Sequence, residues 1–408
     1  MTPEVLVLVG TRAEAVKVAP VVLASPPAIR AVVVHSGQHG RTALDALAAF
    51  DLRPAESLSL HRVGGQADLV AGMLPGLDAL IARRRPAAVL VQGDTTTALA
   101  GALASHWRGV PLVHLEAGLR SGSMRSPFPE EANRRIIARL ATLHLAPTAR
   151  AADALGAEGV PGGDIAVTGN TVVDAVAHLT ARDLPASDPE LAAAERTIAA
   201  LGHRLMLVTA HRRENWGEPL KRIFQSIAAL TAEHPDVHVL LPTHPNPSVA
   251  AQARVELSGR ERVTLTEPLN YPDLLRALRV SALVLTDSGG LQEEAPSFRV
   301  PVLVLRDRTE RPEAVEAGRA WLVGTESTAI TAAGRRLLAE RPVLPPGNPF
   351  GDGRAAPRVV AAILRSLERS GPQQRPEEPF AEGDGLDLAE DGAGEVRIDG
   401  EERVGGGL

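Results

Sequence analysis

Residues 281–295 read SALVLTDSGGLQEEA. The segment begins with an apolar run that contains a β-branched residue, which predicts a buried strand ending at an acidic residue. Glycines then allow a tight turn and a close approach of the backbone to a ligand, and a helical pattern follows. A strand, a glycine loop and a helix in this order form the repeating unit of a parallel α/β sheet.

The same unit recurs along most of the chain. Two series of six apolar runs alternate with Ala-, Leu- and Arg-rich helical patterns, and the segment ARDLPASDPELAAA (181–194) between the series reads as an interdomain connection. We therefore predict an α/β protein with two doubly wound, Rossmann-like domains, residues 1–180 and 190–355. The predicted strands are 5–10, 31–37, 87–94, 111–118, 144–148, 165–170, 205–211, 237–244, 262–268, 282–289, 301–307 and 320–324.

The C-terminal end differs in composition from the rest. Residues 356–370 have a helical pattern, and we expect this helix to pack back on the first domain. Residues 371–408 contain eleven acidic and three basic residues, which give this segment a net charge of −8. The whole chain has a net charge of −6. We predict a disordered tail. The remainder has a net charge of only +2, which gives no support for nucleic-acid binding.

The overall composition favours a cytoplasmic enzyme. The chain has 408 residues, which suits two domains, and it has no cysteine, which excludes disulfides and thiolate metal sites. Its N-terminus reads as a first strand rather than a signal peptide, and no apolar run approaches the length of a membrane span. We find no metal-binding motif in the predicted domains and expect no metal.

Polar clusters follow the predicted strands in both domains. Ligands of open parallel sheets bind beyond the carboxyl ends of the strands, so these clusters are expected to converge. Each has an ordinary reading when taken alone: Asp94 could cap a helix, SPFPEEANRR (126–135) could be a helix start, and His244 could be a turn residue. Together, they would require many coincidences at the same edge of two sheets.

The glycine loop of the opening segment suits a diphosphate. The backbone at Ser288, Gly289 and Gly290 can approach a ligand, and the next helix presents free N–H groups. Arg311 could neutralise diphosphate charge, and one of the two glutamates that follow the glycines could accept hydrogen bonds from ribose hydroxyls. The other could simply solvate the helix, and the base would lie near EPLNYPDLL (267–275).

The motifs resemble one family throughout residues 1–355. GTRAEAVKVAPVV (10–22), GDTTTALAGALA (93–104), VPLVHLEAGLRSG (110–122), TDSGGLQEEAP (286–296) and LRDRTERPEAVEAG (305–318) occur in the order found in non-hydrolysing UDP-N-acetylglucosamine 2-epimerases. SGQH, SPFPEEANRR, VTGNTVVDA, TAHRREN, PTHPNP and NPFGDG strengthen the resemblance. It implies a GT-B-like fold with a cleft between the domains and reversible formation of UDP-N-acetylmannosamine without a cofactor.

The resemblance also implies site residues. It places Asp94, Glu116, Glu130 and His211 at catalytic positions, without deciding which carboxylate removes the C2 proton. The substrate-binding positions are Arg12, Lys17, Arg134, Leu269, Leu274, Ser288, Gly289, Gly290, Glu294 and Arg311. Leu269 and Leu274 depart from the polar and aromatic residues found on the uracil side in relatives. A second, allosteric UDP-sugar site would include Gln38, Gln66, Arg212 and His244, and a homodimer is expected.

Four alternatives remain open at the level of sequence. A hydrolysing epimerase would release N-acetylmannosamine and UDP, and an epimerase for a modified UDP-2-acetamido sugar would use the same chemistry. A glycosyltransferase of similar fold would need an acceptor site. A non-enzymatic UDP-sugar sensor would bind without turnover.

Overall fold

Two parallel sheets organise the part of the chain that a computed structural model describes, residues 2–60, 64–125, 127–244 and 246–370. The strands of the first sheet are β1 Glu4–Val9, β2 Arg30–His35, β3 Glu56–Ser57, β4 Ala88–Gln92, β5 Leu112–Leu115, β6 Leu143–Ala146 and β7 Ile165–Val167. Those of the second are β8 Arg204–Thr209, β9 Val237–Pro242, β10 Val263–Thr266, β11 Ser281–Thr286, β12 Val302–Val304 and β13 Ala320–Leu322. The tail predicted for 371–408 lies outside the described residues.

Helices connect the strands and cover the sheets. They are α1 Arg12–Ala24, α2 Gly40–Ala48, α3 Gln66–Arg84, α4 Thr96–Trp107, α5 Glu130–Leu140, α6 Ala149–Ala157, α7 Thr171–Thr180, α8 Pro189–Leu201, α9 Glu218–Glu233, α10 Pro247–Leu257, α11 Tyr271–Val280, α12 Gly289–Glu294, α13 Pro312–Glu316, α14 Ser327–Glu340 and α15 Ala355–Ser370. Among the helices described, none is long and apolar enough to cross a membrane.

Both sheets have doubly wound topology. The strand orders are β3-β2-β1-β4-β5-β6-β7 and β10-β9-β8-β11-β12-β13, and every strand pair is parallel. The order reverses between β1 and β4 in the first sheet and between β8 and β11 in the second. A ligand crevice forms at such reversals because the loops on either side leave in opposite directions. This confirms the predicted α/β class with Rossmann-like halves.

The sequence predicts twelve of the thirteen strands in the described chain and misses β3. This strand has only the two residues Glu56 and Ser57, and it pairs with the edge of β2. Two polar residues carry no strand periodicity, so only their pairing reveals them. The predicted connection at 181–194 is also partly helical, because Asp188 accepts a hydrogen bond from the Leu191 amide and caps α8.

The two halves contact each other through helices and share buried apolar residues. Helix α7 contacts α11 and α12, and one continuous cluster of buried apolar side chains includes residues of both sheets, such as Val7 of β1 and Leu207 of β8. Helix α15 packs on α1 and α7, and Asp174 caps its start by accepting hydrogen bonds from the amides of Ala355 (3.1 Å) and Ala356 (2.9 Å). The division into domains 1–180 and 190–355 stays a proposal.

Candidate active site

A cleft of about 460 Å³ lies between the two sheets. Such a volume lies within the range of small-molecule sites. Residues of α1 form one wall, and loops after β8, β9 and β11 form the other. The structure brings ten of the predicted site residues to its lining, namely Arg12, Lys17, His211, His244, Leu269, Leu274, Ser288, Gly290, Glu294 and Arg311.

Four charged side chains form a buried ion cluster at the inner end of this cleft, and we define it as Lys17, Glu116, Glu293 and Arg311. The Lys17 Nζ lies 2.6 Å from Glu116 Oε2 and 2.8 Å from Glu293 Oε2. The Arg311 Nε donates to Glu293 Oε1 at 2.8 Å, and its NH2 lies 3.6 Å from Glu116 Oε1. The cluster therefore alternates cations and carboxylates from helices and loops of both halves.

Glu116 occupies an unusual backbone position in this cluster. It follows β5 with φ +61°, a left-handed conformation that costs a non-glycine residue of order 1 kcal/mol. Gln92 also donates a hydrogen bond to its carboxylate. Burial raises the pKa of Glu116, and Glu293 raises it further, while Lys17 and Arg311 oppose both effects. A carboxyl group with a raised pKa is suited to act as a general acid or base.

Asp94 and Arg134 meet beside the cluster. Arg134 NH2 lies 2.6 Å from Asp94 Oδ2, and Asn133 Nδ2 donates to the Asp94 carbonyl at 2.8 Å. The possibility that Asp94 caps the next helix is wrong, because the Thr95 hydroxyl accepts the Ala98 amide and caps α4. The Asp94 carboxylate thus has no capping role and pairs with Arg134 instead.

Glu130 begins α5, so the predicted helix start is correct. Burial raises the pKa of Glu130, and the charge of Asp94 adds to this effect. One of its carboxylate oxygens, Oε2, is buried without a hydrogen-bond partner in the described chain. A buried acceptor without a donor favours the protonated form or a ligand hydroxyl.

The glycine turn lies against Arg311. Ser288 precedes α12, and its side chain does not cap that helix. A Cβ atom on Gly289 would lie 2.8 Å from Cζ and NH1 of Arg311, whereas one on Gly290 would meet nothing closer than 3.7 Å. Gly289 is therefore needed for the position of Arg311, and Gly290 leaves space on the cleft side.

Glu294 and its neighbours form the part of the cleft expected to hold the nucleoside. The Tyr271 hydroxyl donates to Glu294 Oε1 at 3.1 Å, and burial raises the pKa of Glu294 to about 7. The Arg12 NH1 donates to the Leu269 carbonyl at 3.2 Å, so α1 touches the loop after β10. Leu269 and Leu274 are buried and line the cleft with apolar surface.

The residues expected in a second site form two groups. Gln38 Oε1 accepts hydrogen bonds from the amide and hydroxyl of Thr97, and Gln66 Oε1 accepts one from Thr96, so both contact the start of α4. His244 stacks on His211 with ring centroids 5.6 Å apart, and Arg212 follows His211 in the chain. The allosteric role of all four residues stays a proposal.

The sequence does not predict several of the buried acidic residues of the site. The pattern LQEE alone leaves its two glutamates ambiguous, and only the family resemblance selects Glu294. In the structure Glu293 points into the ion cluster and Glu294 lines the cleft. Asp287 and Glu310 are also buried, and the side chain of Glu310 pairs with Arg306 and Arg311. Adjacent helical positions point in different directions, so only packing separates their roles.

Glu14 is another buried acid, and its signal was present in the sequence. Its carboxylate accepts hydrogen bonds from the amides of Gly10 and Thr11 and from the Thr95 hydroxyl. Burial raises the pKa of Glu14 to about 7. Thr11 followed three residues later by Glu is a capping box, which predicts this local geometry but not the contact with Thr95.

The donors in this region suit an anionic organic ligand. Arg12, Lys17 and Arg311 line the cleft, and arginine and lysine are suited to phosphate oxygens. Within the described ranges, no three His, Asp or Glu side chains are arranged to hold a metal ion.

Comparisons with known proteins agree on one family. The profile of a family described as UDP-N-acetylglucosamine 2-epimerase matches residues 22–364. The UDP-N-acetylglucosamine 2-epimerase of Bacillus subtilis is 41% identical over 368 residues, which cover 88% of this chain and 95% of that protein. The enzyme of the same name from Yersinia pestis is 40% identical over 370 residues, covering 88% and 98%.

A solved structure extends the similarity to the fold. The UDP-N-acetylglucosamine 2-epimerase of Neisseria meningitidis bound to UDP-N-acetylglucosamine aligns with a TM-score of 0.82 and 36% identity. The alignment covers 89% of this chain and all of that one. Both sheets are therefore part of the similarity.

Proposed function

Because the chain belongs to the UDP-N-acetylglucosamine 2-epimerase family, we propose that it interconverts UDP-N-acetylglucosamine and UDP-N-acetylmannosamine without net hydrolysis. The observation that carries the proposal is the arrangement of charge in the cleft. Carboxylates from loops of the first sheet lie opposite a cationic group from the second, and Glu116 and Arg311 approach to 3.6 Å. Epimerisation at C2 requires carboxylates that exchange a proton and a cationic group that stabilises the leaving UDP.

The first requirement is proton exchange at C2. A base removes the C2 proton, and an acid returns a proton to the opposite face of the sugar. Asp94, Glu116 and Glu130 are the candidates for the base and the acid. Burial raises the pKa of Glu116 and of Glu130, and a raised pKa suits a carboxyl group to either role.

The second requirement is stabilisation of the leaving UDP. Loss of the C2 proton and cleavage of the C1–O bond give a 2-acetamidoglucal and UDP, and re-addition of UDP restores the C1–O bond. Arg311, Lys17 and the backbone around Ser288 and Gly290 would receive the diphosphate, with His211 assisting the departing oxygen. Glu294 would accept hydrogen bonds from ribose hydroxyls, with uracil between Leu269 and Leu274.

Retention of UDP distinguishes the proposed reaction from hydrolysis. The cleft is formed by both sheets, and Lys17 links Glu116 of one to Glu293 of the other. A connection of this kind supports a cleft that keeps the glucal and UDP together while excluding water. The same surroundings would hold Arg12 and Arg134 near the substrate.

Proton NMR with UDP-N-acetylglucosamine in deuterated water, without added metal, tests the proposal. We expect UDP-N-acetylmannosamine signals and entry of deuterium at C2. Free N-acetylmannosamine with UDP would instead establish the hydrolysing reaction. An unchanged spectrum would contradict the proposed substrate, and modified UDP-2-acetamido sugars would then be tested. Binding of UDP-sugars without turnover of any of them would identify a sensor.

We further propose that the protein is a homodimer that binds a second UDP-sugar near Gln38, Gln66, Arg212 and His244. Light scattering after size exclusion tests the first point. If the second UDP-sugar site exists, added UDP-N-acetylglucosamine should activate the reverse reaction, which converts UDP-N-acetylmannosamine to UDP-N-acetylglucosamine. Hyperbolic kinetics without that activation would contradict it.

A further inference from the structure

Asp287 is a fully buried acid immediately after β11, and one of its oxygens anchors the loop that carries His211. Oδ2 accepts three hydrogen bonds of 2.9 Å, from the amides of His211 and Arg212 and from Asn215 Nδ2. These donors fix the orientation of the carboxylate. All three donate to Oδ2, so the second carboxylate oxygen, Oδ1, takes no part in holding the loop.

The second oxygen faces the His211 ring. Oδ1 of Asp287 lies 3.1 Å from His211 Nδ1, and in the described chain His211 is the one basic side chain within 4 Å of this carboxylate. Oδ1 is buried and has no hydrogen bond of good geometry in the same residues. A buried carboxylate oxygen is costly without a donor, so an Nδ1–H group is the partner that the site requires.

The opposite side of the ring is directed towards the cleft. The two ring nitrogens point apart, the side chain of His211 is 40% exposed, and the residue lines the cleft. His244 stacks on one face of the ring, and burial, followed by the charge of His211, lowers the pKa of His244. Arg212 donates its Nε–H to the Asp287 carbonyl, not to the carboxylate, so it does not compete for Oδ1.

We propose that Asp287 is a positioning residue that holds His211 in the tautomer with a proton on Nδ1, so that Nε2 exchanges a proton with the leaving UDP. The proton step rests on the proposed function. As UDP departs, the imidazolium gives its Nε2 proton to the diphosphate oxygen and becomes the neutral Nδ1–H form. On re-addition the same proton returns to Nε2. Asp287 keeps its charge throughout.

The substitution Asp287→Asn separates positioning from anchoring. The three donors at Oδ2 require an oxygen, so the asparagine carbonyl takes that place and its NH2 group faces His211. That NH2 donates to Nδ1, which forces the neutral ring to carry its proton on Nε2. The variant therefore keeps the loop hydrogen bonds and reverses the tautomer. Asn215→Ala is the matched control, because it removes one bond to Oδ2 without changing the charge at Oδ1.

The first test is nitrogen-15 NMR of the full chain labelled on histidine, with His211 assigned by its loss in His211→Asn. We expect the neutral ring to carry its proton on Nδ1 in the unsubstituted protein and in Asn215→Ala, and on Nε2 in Asp287→Asn. A proton on Nε2 in the unsubstituted protein would overturn the proposal, even if Asp287→Asn failed to fold. This measurement does not depend on epimerase activity, so failure of the proposed function remains distinguishable.

The second test is a double-mutant cycle on epimerisation. Asp287→Asn should lower kcat about 100-fold, the lower range for loss of acid–base assistance, while UDP affinity stays within about threefold. If Asp287 acts through His211, adding Asp287→Asn to His211→Asn should change kcat by no more than about twofold. Independent, multiplicative losses would show a purely structural role and overturn the proposal.

Discussion

Lys17 and Glu293 form a 2.8 Å ion pair between α1 and α12, and their side chains are only 7% and 1% exposed. The same ammonium group binds Glu116 at 2.6 Å. The helix that follows β1 of the first sheet is thus tied to the helix that follows β11 of the second. Because removal of one partner from a buried pair leaves the other charge uncompensated, the charge balance at Glu116 depends on contact between the halves.

Glu293→Gln should lower the free energy of unfolding by about 3 kcal/mol at neutral pH, because it breaks a buried pair. Burial alone would raise the pKa of Glu293, but Lys17 and Arg311 outweigh it and lower that pKa. The stabilisation is therefore present above the unfolded pKa and is lost as pH falls through the folded value. Urea unfolding from pH 7 down to the most acidic pH at which the protein stays folded measures the loss, which begins below about pH 4.5.

Glu316→Gln is the matched control for that experiment. Glu316 of α13 pairs with Arg150 of α6, so this pair also joins residues of the two halves, but its side chains are 59% and 55% exposed. Exposed pairs contribute about 0–1 kcal/mol. Equal losses in both variants would contradict the role assigned to burial.

Glu294→Gln should stabilise the ligand-free protein at alkaline pH. Burial raises the pKa of Glu294 to about 7 from 4.5, so ionisation in the folded state opposes folding as pH rises between these values. The unfolding free energy of the variant relative to the unsubstituted protein should increase by about 3 kcal/mol from pH 4 to pH 8. Glu340→Gln, at an exposed position, serves as control and should show no such trend.

Glu294→Gln should weaken UDP binding, although it stabilises the ligand-free protein. An amide keeps the hydrogen bond from Tyr271 but loses the negative charge that ribose hydroxyls would bind. We expect roughly tenfold weaker affinity for UDP at pH 8, about the value of one charge-assisted hydrogen bond. Calorimetric titration measures it, and unchanged affinity would place the ribose elsewhere.

Gly289→Ala and Gly290→Ala should have different consequences. The first methyl group would lie 2.8 Å from the Arg311 guanidinium and displace it, so both stability and UDP affinity should fall. The second meets only ordinary contacts within the protein, so the melting temperature should stay unchanged while UDP binds more weakly. Thermal melts with titration of UDP separate the two. Normal UDP affinity in Gly290→Ala would argue against a diphosphate at this turn.

The ionisation of Glu130 should make kcat fall at alkaline pH. Its pKa is raised by burial and then by Asp94, and a group that donates a proton must be protonated, so the rate falls as pH rises through that pKa. Glu130→Gln should lower kcat about 100-fold and remove this alkaline fall from the profile. A profile of kcat against pH tests it. A variant that retains the alkaline fall would assign the acid to another residue.

Deletion of residues 371–408 should leave kcat and KM unchanged. The family profile ends at residue 364, and the relatives align over 95–98% of their own lengths without covering this whole chain. A matched deletion that also removes α15 is expected to unfold the protein, since α15 packs on α1 and α7. Loss of activity in the shorter deletion would give the tail a functional role.

The strands of this fold were predictable because central parallel strands are apolar on both faces. Runs such as β4 and β11 leave little ambiguity, and the polar loops at their carboxyl ends identify the side of the sheet where ligands bind. Each of the twelve predicted strands extends beyond the observed C-terminal end, and four of them also begin one residue too early. At Gly93, for example, φ of +67° turns the chain before Asp94.

Pairings between distant residues were not predictable by the same reasoning. Glu293 and Glu294 are neighbours of identical chemistry, yet one binds Lys17 and the other accepts a hydrogen bond from Tyr271. Asp287 likewise reads as the end of a strand, until the structure places its free oxygen beside His211. Local patterns carry periodicity and turn chemistry, but they carry no information about which side chain lies opposite.

The amino-acid sequence thus determined the two α/β halves and the edge where ligands bind, because strand burial and loop chemistry are local properties. The family resemblance added ten of the residues that line the cleft. The tertiary structure alone decided which charges are neutralised and which carboxyl groups have a raised pKa. These properties depend on burial and on charges brought together from both sheets, such as Lys17 with Glu293, and the free energy of a buried charge is set by its surroundings rather than by its place in the chain.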